Sequence, residues 1–204
     1  MILELYYAPT SPYVRKVMIC AHELGVADEI VCLDSAAHPV NRDDRIKAFN
    51  PLGKVPAARA DDGLVLYDSR VICEYLDFRC KGSLFPRDGV ARWAALRRQA
   101  LGDGLMDAAL LARYETVARP ADARSAAWRD AQLSKVNDAL GEMQRDCADI
   151  SGAFDIGVIS YVCALGYLDF RFAELEWRIS HPDLGRWYVA LAGRRSVEIT
   201  VPVE

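Results

Sequence analysis

The stretch ILELYYAPTSPYVRKVMICAHELG, residues 2–25, reads as a strand, a turn and a helix in succession. Ile2–Tyr7 is rich in β-forming residues and predicts a strand. From Pro12 to Leu24, apolar residues return at Val14, Val17, Met18, Ala21 and Leu24, the period of a helix. The other face of that helix carries Arg15, Lys16, His22 and Glu23, and Gly25 stops it.

Working outward, Glu29–Leu33 predicts a short second strand. The polar stretch Asp34–Lys47 follows, with a short helix near its end. Val55–Ala60 and Leu64–Tyr67 predict two strands joined by Asp61-Asp62-Gly63, a strong hairpin signal. Ser69–Cys80 is helical again, with Ile72, Tyr75, Leu76 and Phe78 as inward residues. The order β-α-β-α-β-β-α predicts a mixed sheet with helices on its faces. The first three strands need crossovers and the last pair is antiparallel. A dinucleotide fold does not fit, because no Gly-x-Gly-x-x-Gly follows the first strand.

Lys81-Gly-Ser-Leu-Phe-Pro-Arg-Asp-Gly89 breaks this pattern, and beyond it helical periodicity dominates. The expected organisation is an α/β domain at 1–81, a linker at about 82–88, and an all-helical domain at 88–204. Helices are expected at 88–117, 124–146, 154–170 and 183–192, with a weaker one near 172–180. The tail after Gly193 has few helical signals and reads as a strap across the surface or a loose end.

The 204 residues, 52% of them apolar, suffice for a packed core. Net charge is −4, and neither half has the basic excess that nucleic-acid binding needs: nine basic and twelve acidic side chains in residues 1–80, then 16 and 17. The opening residues predict no secretion signal, and no run of 18 apolar residues predicts a membrane span. The six cysteines form no Cys-x-x-Cys pair and match no zinc spacing, so small buried hydrophobes in a reducing cytoplasm are the expectation. The three histidines share no ligand spacing, and no metal is expected.

Three short segments can carry chemistry. In Thr10-Ser11-Pro12-Tyr13, Ser11 stands where the strand gives way to the helix, with Pro12 at the first helical position. Serine and proline there are preferred for capping alone. The same geometry suits a thiolate: a helix N-terminus offers unpaired N–H groups and partial positive charge, and a hydroxyl adds a hydrogen bond. Ionising a thiol of pKa about 8.5 at neutral pH costs roughly 2 kcal/mol. A hydrogen bond to a charged group contributes about 1.5–3 kcal/mol, and a helix end about 0.3–1 kcal/mol. Taken alone, Ser11 therefore reads first as a cap, and second as the stabiliser of a bound thiolate. The second segment, Asn50-Pro-Leu-Gly-Lys54-Val55-Pro56, reads as a loop entering an edge strand. A cis Val55–Pro56 peptide there would turn the Val55 backbone outward to pair with an extended peptide. The third, Tyr67-Asp68-Ser69-Arg70, reads as a helix cap or as a carboxylate-binding helix start, with Asp68 placed for an ammonium group.

In this order and at these separations the three segments resemble the glutathione transferase superfamily, over essentially the whole chain. Ser-Pro-Tyr-x-Arg-Lys is similar to the serine-type members, with tau- and omega-like motifs, including many bacterial enzymes. The resemblance implies a thioredoxin-like domain followed by an all-helical domain, with glutathione as co-substrate. It places Ser11 at the catalytic position and Lys54 and Val55 on the glutathione backbone and glycine end. Asp68 and Ser69 meet the γ-glutamyl group, Pro56 is the cis-proline, and Thr10 is a neighbouring hydroxyl. Leu105, Met106, Ala109, Tyr114, Tyr167 and Phe170 are the candidates for a cleft wall accepting an apolar co-substrate; each also fits ordinary bundle core. Family members usually begin a later helix with Ser/Thr-x-x-Asp. Asp155 matches that pattern, whereas Gly152 holds the cap position and Ser151 stands one residue off. The implied activity is conjugation of glutathione to an electrophile or reduction of a peroxide, by a cytoplasmic homodimer. The alternative is a non-catalytic interaction module of the stringent starvation protein type. A specialised isomerase or dehalogenase ranks below both, since the Ser-Ser-Cys segment of the zeta-type isomerases is absent.

Overall fold

The computed structural model describes residues 1–150, 152 and 154–203. Strand β1, Leu3–Tyr7, buries Leu3 and Leu5 completely. Helix α1, Pro12–Glu23, starts at the Ser11 cap and ends before Gly25, whose φ of +72° only glycine adopts without strain. A 3₁₀ turn leads to β2, Ile30–Asp34. Helix α2, Asp44–Phe49, is capped by the Asp43 carboxylate. Strands β3, Ala57–Ala60, and β4, Val65–Leu66, form the hairpin, and α3, Ser69–Arg79, closes the unit.

The sheet order is β2-β1-β3-β4. β1 runs parallel to β2, with Leu5 beside Cys32, and antiparallel to β3, with Leu5 beside Ala58. Of the first three strands, then, only β1 and β2 form a parallel crossover unit. β3 starts at Ala57 rather than Val55, because Pro56 has no N–H to give the ladder. β4 is shorter than Leu64–Tyr67 at both ends.

The helical part consists of α4 (Gly89–Val117), α5 (Ala126–Cys147), α6 (Ile156–Arg171), α7 (Trp177–Ser180), α8 (Pro182–Ala192) and α9 (Arg195–Glu198). α4 packs against α5 and α6, and α6 also packs against α1 of the sheet unit. α6 is buried over its first thirteen residues. Its cap is Asp155 itself, which accepts the Val158 N–H at 3.0 Å; Gly152 lies before the cap, and Ser151 lies outside the described residues. No single helix among the described residues is long and apolar enough to cross a membrane.

Three further expectations are corrected. Arg15 and Lys16 are 5% and 0% exposed, because α6 and α9 cover the face of α1 that the helical pattern marks as polar. Phe78 points to solvent, 78% exposed. The tail after Gly193 is neither loose nor a plain strap: α9 buries Val197 against α1.

Candidate functional site

The register of the sheet decides what meets what. Tyr6 lies beside Ala57, and Ala58 beside Leu66. The chain leaving β1, the chain entering β3 and the chain leaving β4 therefore emerge side by side at one end of the sheet. These are the three segments that carry Ser11, Val55-Pro56 and Asp68-Ser69. α1 and α3 pack together and both begin at that end, so two helix N-termini converge there. Such a place favours anions.

Ser11 sits half-buried at the head of α1. Its N–H donates to Ala8 C=O at 3.0 Å, and its Oγ accepts from Val14 N–H at 3.3 Å. The hydroxyl proton has no acceptor among the described residues, so Ser11 caps the helix and still has a bond to give. Thr10 precedes it, half-buried in the same turn.

The Val55–Pro56 peptide is cis, and Val55 is half-buried while Lys54 is exposed. Asn50, almost fully buried, shapes this loop. Its Nδ2 donates to Lys54 C=O at 3.0 Å and its Oδ1 accepts from Leu52 N–H at 3.0 Å. At α3, Asp68 is the cap and accepts from Arg70 N–H at 3.0 Å; the Tyr67–Asp68 peptide is also cis. Ser69 is buried and, as the first helical residue, offers a backbone N–H that no carbonyl of its own helix can reach.

Several residues missed by sequence reasoning hold this end together. Asp103 of α4, buried, accepts from Lys16 Nζ of α1 at 2.6 Å and from Arg70 Nε of α3 at 2.7 Å. The Asp103 bond holds the Arg70 guanidinium above its usual range. Tyr13 of α1 donates to Asp107 of α4; burial, then the Asp107 charge, pushes its phenol well above the ordinary value. Asp103 and Asp107 are one turn apart on the face of α4 turned to α1 and α3. That spacing is visible in the sequence, but their partners are not.

The six cleft candidates divide. Leu105, Met106 and Ala109 are closed in the core and offer no surface to a ligand, because α6 and α5 pack on that side of α4. Tyr167 is buried, while Tyr114 and Phe170 are half-buried. Among the described residues no group of three His, Cys, Asp or Glu side chains is placed to hold a metal ion.

The glutathione S-transferase N-terminal domain model matches residues 10–79, and the C-terminal domain model residues 126–190. The GST-like protein YibF of Escherichia coli (strain K12) is 32% identical over 204 residues, covering 98% of both chains. A glutathione transferase family member from Pseudomonas fluorescens Pf-5, solved with bound glutathione, is 46% identical with a TM-score of 0.96, covering 99% of this chain and 100% of its own. A glutathione S-transferase from Methylobacillus flagellatus KT, solved with glutathione bound, is 37% identical with a TM-score of 0.87, covering 98% and 100%. With two matching domain models, full-length relatives and the mixed sheet and helical bundle described above, the chain belongs to the glutathione S-transferase family.

Proposed function

We propose that this chain is a serine-type glutathione transferase, with a thioredoxin-like domain at 1–81 that binds glutathione and an all-helical domain at 88–204. One observation carries the reading: two helix N-termini, each with a serine hydroxyl, converge beside the cis Val55–Pro56 turn at one end of the sheet. Full-length relatives solved with glutathione bound support it. The Val55 backbone pairs with the extended tripeptide, and Lys54 meets its glycine carboxylate. Ser69 N–H and hydroxyl take the γ-glutamyl carboxylate, and Asp68 its ammonium group. Ser11, or Thr10 in its place, donates to the sulfur.

In this reading Ser11 is no nucleophile. The ligand's thiolate is, and Ser11 O–H together with the head of α1 lowers the cost of forming it. In conjugation the sulfur attacks an electrophilic carbon and a C–S bond forms. The leaving group departs with its electron pair, and the thiol proton passes to solvent. In peroxide reduction two glutathione thiols become one disulfide while the O–O bond is cleaved to an alcohol and water.

The test is a titration of glutathione together with turnover of a chlorodinitrobenzene. Ser11→Ala is expected to keep glutathione affinity within a few-fold while kcat falls about 10- to 100-fold, the equivalent of one hydrogen bond to a charged group. Unchanged turnover removes Ser11 from the role and passes it to Thr10, for which Thr10→Val is the matching variant. Failure to bind glutathione at millimolar concentration favours the non-catalytic module.

We further infer a homodimer working in the reducing cytoplasm. An exposed apolar stripe on α3 and α4 supports the first, and six free thiols the second.

A further inference from the structure

Arg15 and Lys16 are neighbours on α1 and both are out of water, but they differ in their partners. Lys16 is held by Asp103 at 2.6 Å. Arg15 has no carboxylate within ion-pair distance among the described residues. Its Nη2 donates to Val197 C=O at 3.1 Å and its Nε to the Thr200 hydroxyl at 3.5 Å. Its Nη1 is buried with no hydrogen-bond partner among the described residues. The guanidinium is fitted closely against α6 and α8: a Cβ on Gly166 would overlap Nη1 and lie 3.1 Å from the Tyr188 hydroxyl.

The carboxylates on the surrounding helices are engaged elsewhere. Asp103 of α4 takes Lys16 and Arg70, and Glu23 of α1 takes Arg194 and the Ser196 hydroxyl. Asp169 of α6 takes Trp177 and Arg178. A guanidinium cannot shed its charge, so a full positive charge stays buried at Arg15. Burying a charge without a counter-charge works against stability, and packing alone gives no reason for it.

The geometry ties this charge to the head of α1. Arg15 stands one turn after Ser11, and its N–H donates to Ser11 C=O at 3.0 Å. Its side chain also lines a cavity of about 80 Å³ together with Ala8 and Pro9, the turn that carries Ser11. Val14, Met18 and Thr200 are part of the same wall, and no carboxylate among the described residues lines it. A buried charge is screened little by salt. At an effective dielectric of about 20, a unit charge about 10–15 Å away shifts an ionisation by on the order of one pKa unit.

We propose that Arg15 is a buried, uncompensated cation that favours the bound thiolate through its charge, beside the Ser11 hydroxyl and the helix end. The inference rests on the glutathione transferase reading above. Arg15 is a positioning residue in this scheme: it acts across the first turn of α1, and the thiol proton leaves for solvent. Val197 and Thr200 hold the guanidinium, so the C-terminal segment belongs to the electrostatics of the site.

The test is the ionisation of glutathione in its complex, followed by the ultraviolet absorbance of the thiolate as pH is raised. Wild type, Arg15→Met, Arg15→Gln, Arg15→Lys and Ser196→Ala are compared, with thermal melts to show that each is folded. Arg15→Met keeps the bulk of the side chain and leaves no lone charge buried, which favours folding; Arg15→Gln repeats the neutral change with a polar group. Both neutral variants are expected to raise the pKa of the bound thiol by about one unit, a tenfold loss of thiolate at neutral pH. Arg15→Lys is expected to return most of that shift, because it restores the charge. Ser196→Ala weakens the α9 anchor without changing charge and is expected to leave the thiol pKa in place. A thiol pKa unmoved in the neutral variants, a failure of Arg15→Lys to restore it, or an equal shift in Ser196→Ala overturns the role of the Arg15 charge while leaving glutathione binding intact. Absence of glutathione binding by the wild type overturns the underlying reading and this inference with it.

Discussion

Asp103 takes a cation from each of two helices in the other half of the chain, and this fixes how α1 and α3 sit beneath the ligand loops. Lys16 and Asp103 are almost completely out of water, at 2.6 Å. Desolvation of such a pair nearly cancels its attraction, so the pair adds little net stability. Removing one member is another matter, because it strands a buried charge. Asp103→Asn is expected to lower unfolding stability by about 3–5 kcal/mol, read by urea denaturation. Lys16→Met with Asp103→Leu should recover most of that loss, since no lone charge is left buried. Arg70 separates structure from binding. It is half exposed and bonds only the second Asp103 oxygen. Arg70→Gln should therefore cost less than 1.5 kcal/mol in the same measurement.

At the scale of elements, α1 is anchored at both ends by the last described residues. Arg15 Nη2 donates to Val197 C=O at 3.1 Å, and Glu23 accepts from Arg194 and from the Ser196 hydroxyl. Deleting everything after Gly193 exposes the Val197 site and leaves Arg15 without its α9 carbonyl. The expected loss is about 3–5 kcal/mol, combining burial of one valine with orphaned polar groups. Part of this anchor depends on pH. The Arg194 bond, with help from Ser196, holds the Glu23 carboxyl below its ordinary value of 4.5 despite partial burial. A lowered folded pKa means stability that is present above pH 4.5 and fades as pH falls through the lower folded value. The stability difference between wild type and Glu23→Gln, followed by denaturation from pH 7 downward, should therefore shrink in acid. None of this was legible at the outset, for a physical reason. A helical wheel assigns charged residues to water, and only the tertiary arrangement shows that α6 and α9 cover Arg15 and Lys16. The caps at Ser11 and Asp68, by contrast, were legible because N-cap chemistry is local. So were the succession of elements and the β3–β4 hairpin, because alternation and the Asp61-Asp62-Gly63 turn depend on near neighbours. The cleft wall was half legible. Leu105, Met106 and Ala109 have the right character for a pocket, but apolar character alone does not separate pocket from core.

At the scale of the molecule, the sheet unit and the helical unit form one body. Asp77 of α3 accepts the Leu84 and Phe85 N–H groups of the linker at 2.9 and 3.2 Å, and Ile156 N–H donates to Leu84 C=O at 2.9 Å. The apolar surface left over is not scattered. Val71 and Phe78 are two turns apart on α3, and Val90 and Trp93 one turn apart at the start of α4. All four are exposed, Phe78, Val90 and Trp93 to 78, 85 and 70%. The Arg92–Glu74 ion pair at 2.8 Å ties the two helices together between them, so they form one patch. Phe78 breaks the expectation that it faces the core, and the proposed homodimer would cover it. A two-fold interface sets a patch against itself, which suits an apolar stripe with an internally paired charge. The loops proposed to hold glutathione and the patch lie on different parts of α3, its first turn and its outward stripe, so the two proposed functions can be separated. Trp93→Glu places an unpaired charge in the contact and is expected to convert a dimer of twice 22.7 kDa into monomers, read by sedimentation equilibrium. Glutathione affinity in the monomeric variant should stay within about threefold of the wild type, because the residues assigned to the ligand all come from one chain. A protein that sediments as a monomer before mutation would leave Phe78 and Trp93 without a second copy to cover them. It would also remove the homodimer from the proposed function, while the site at the head of α1 would stand unchanged.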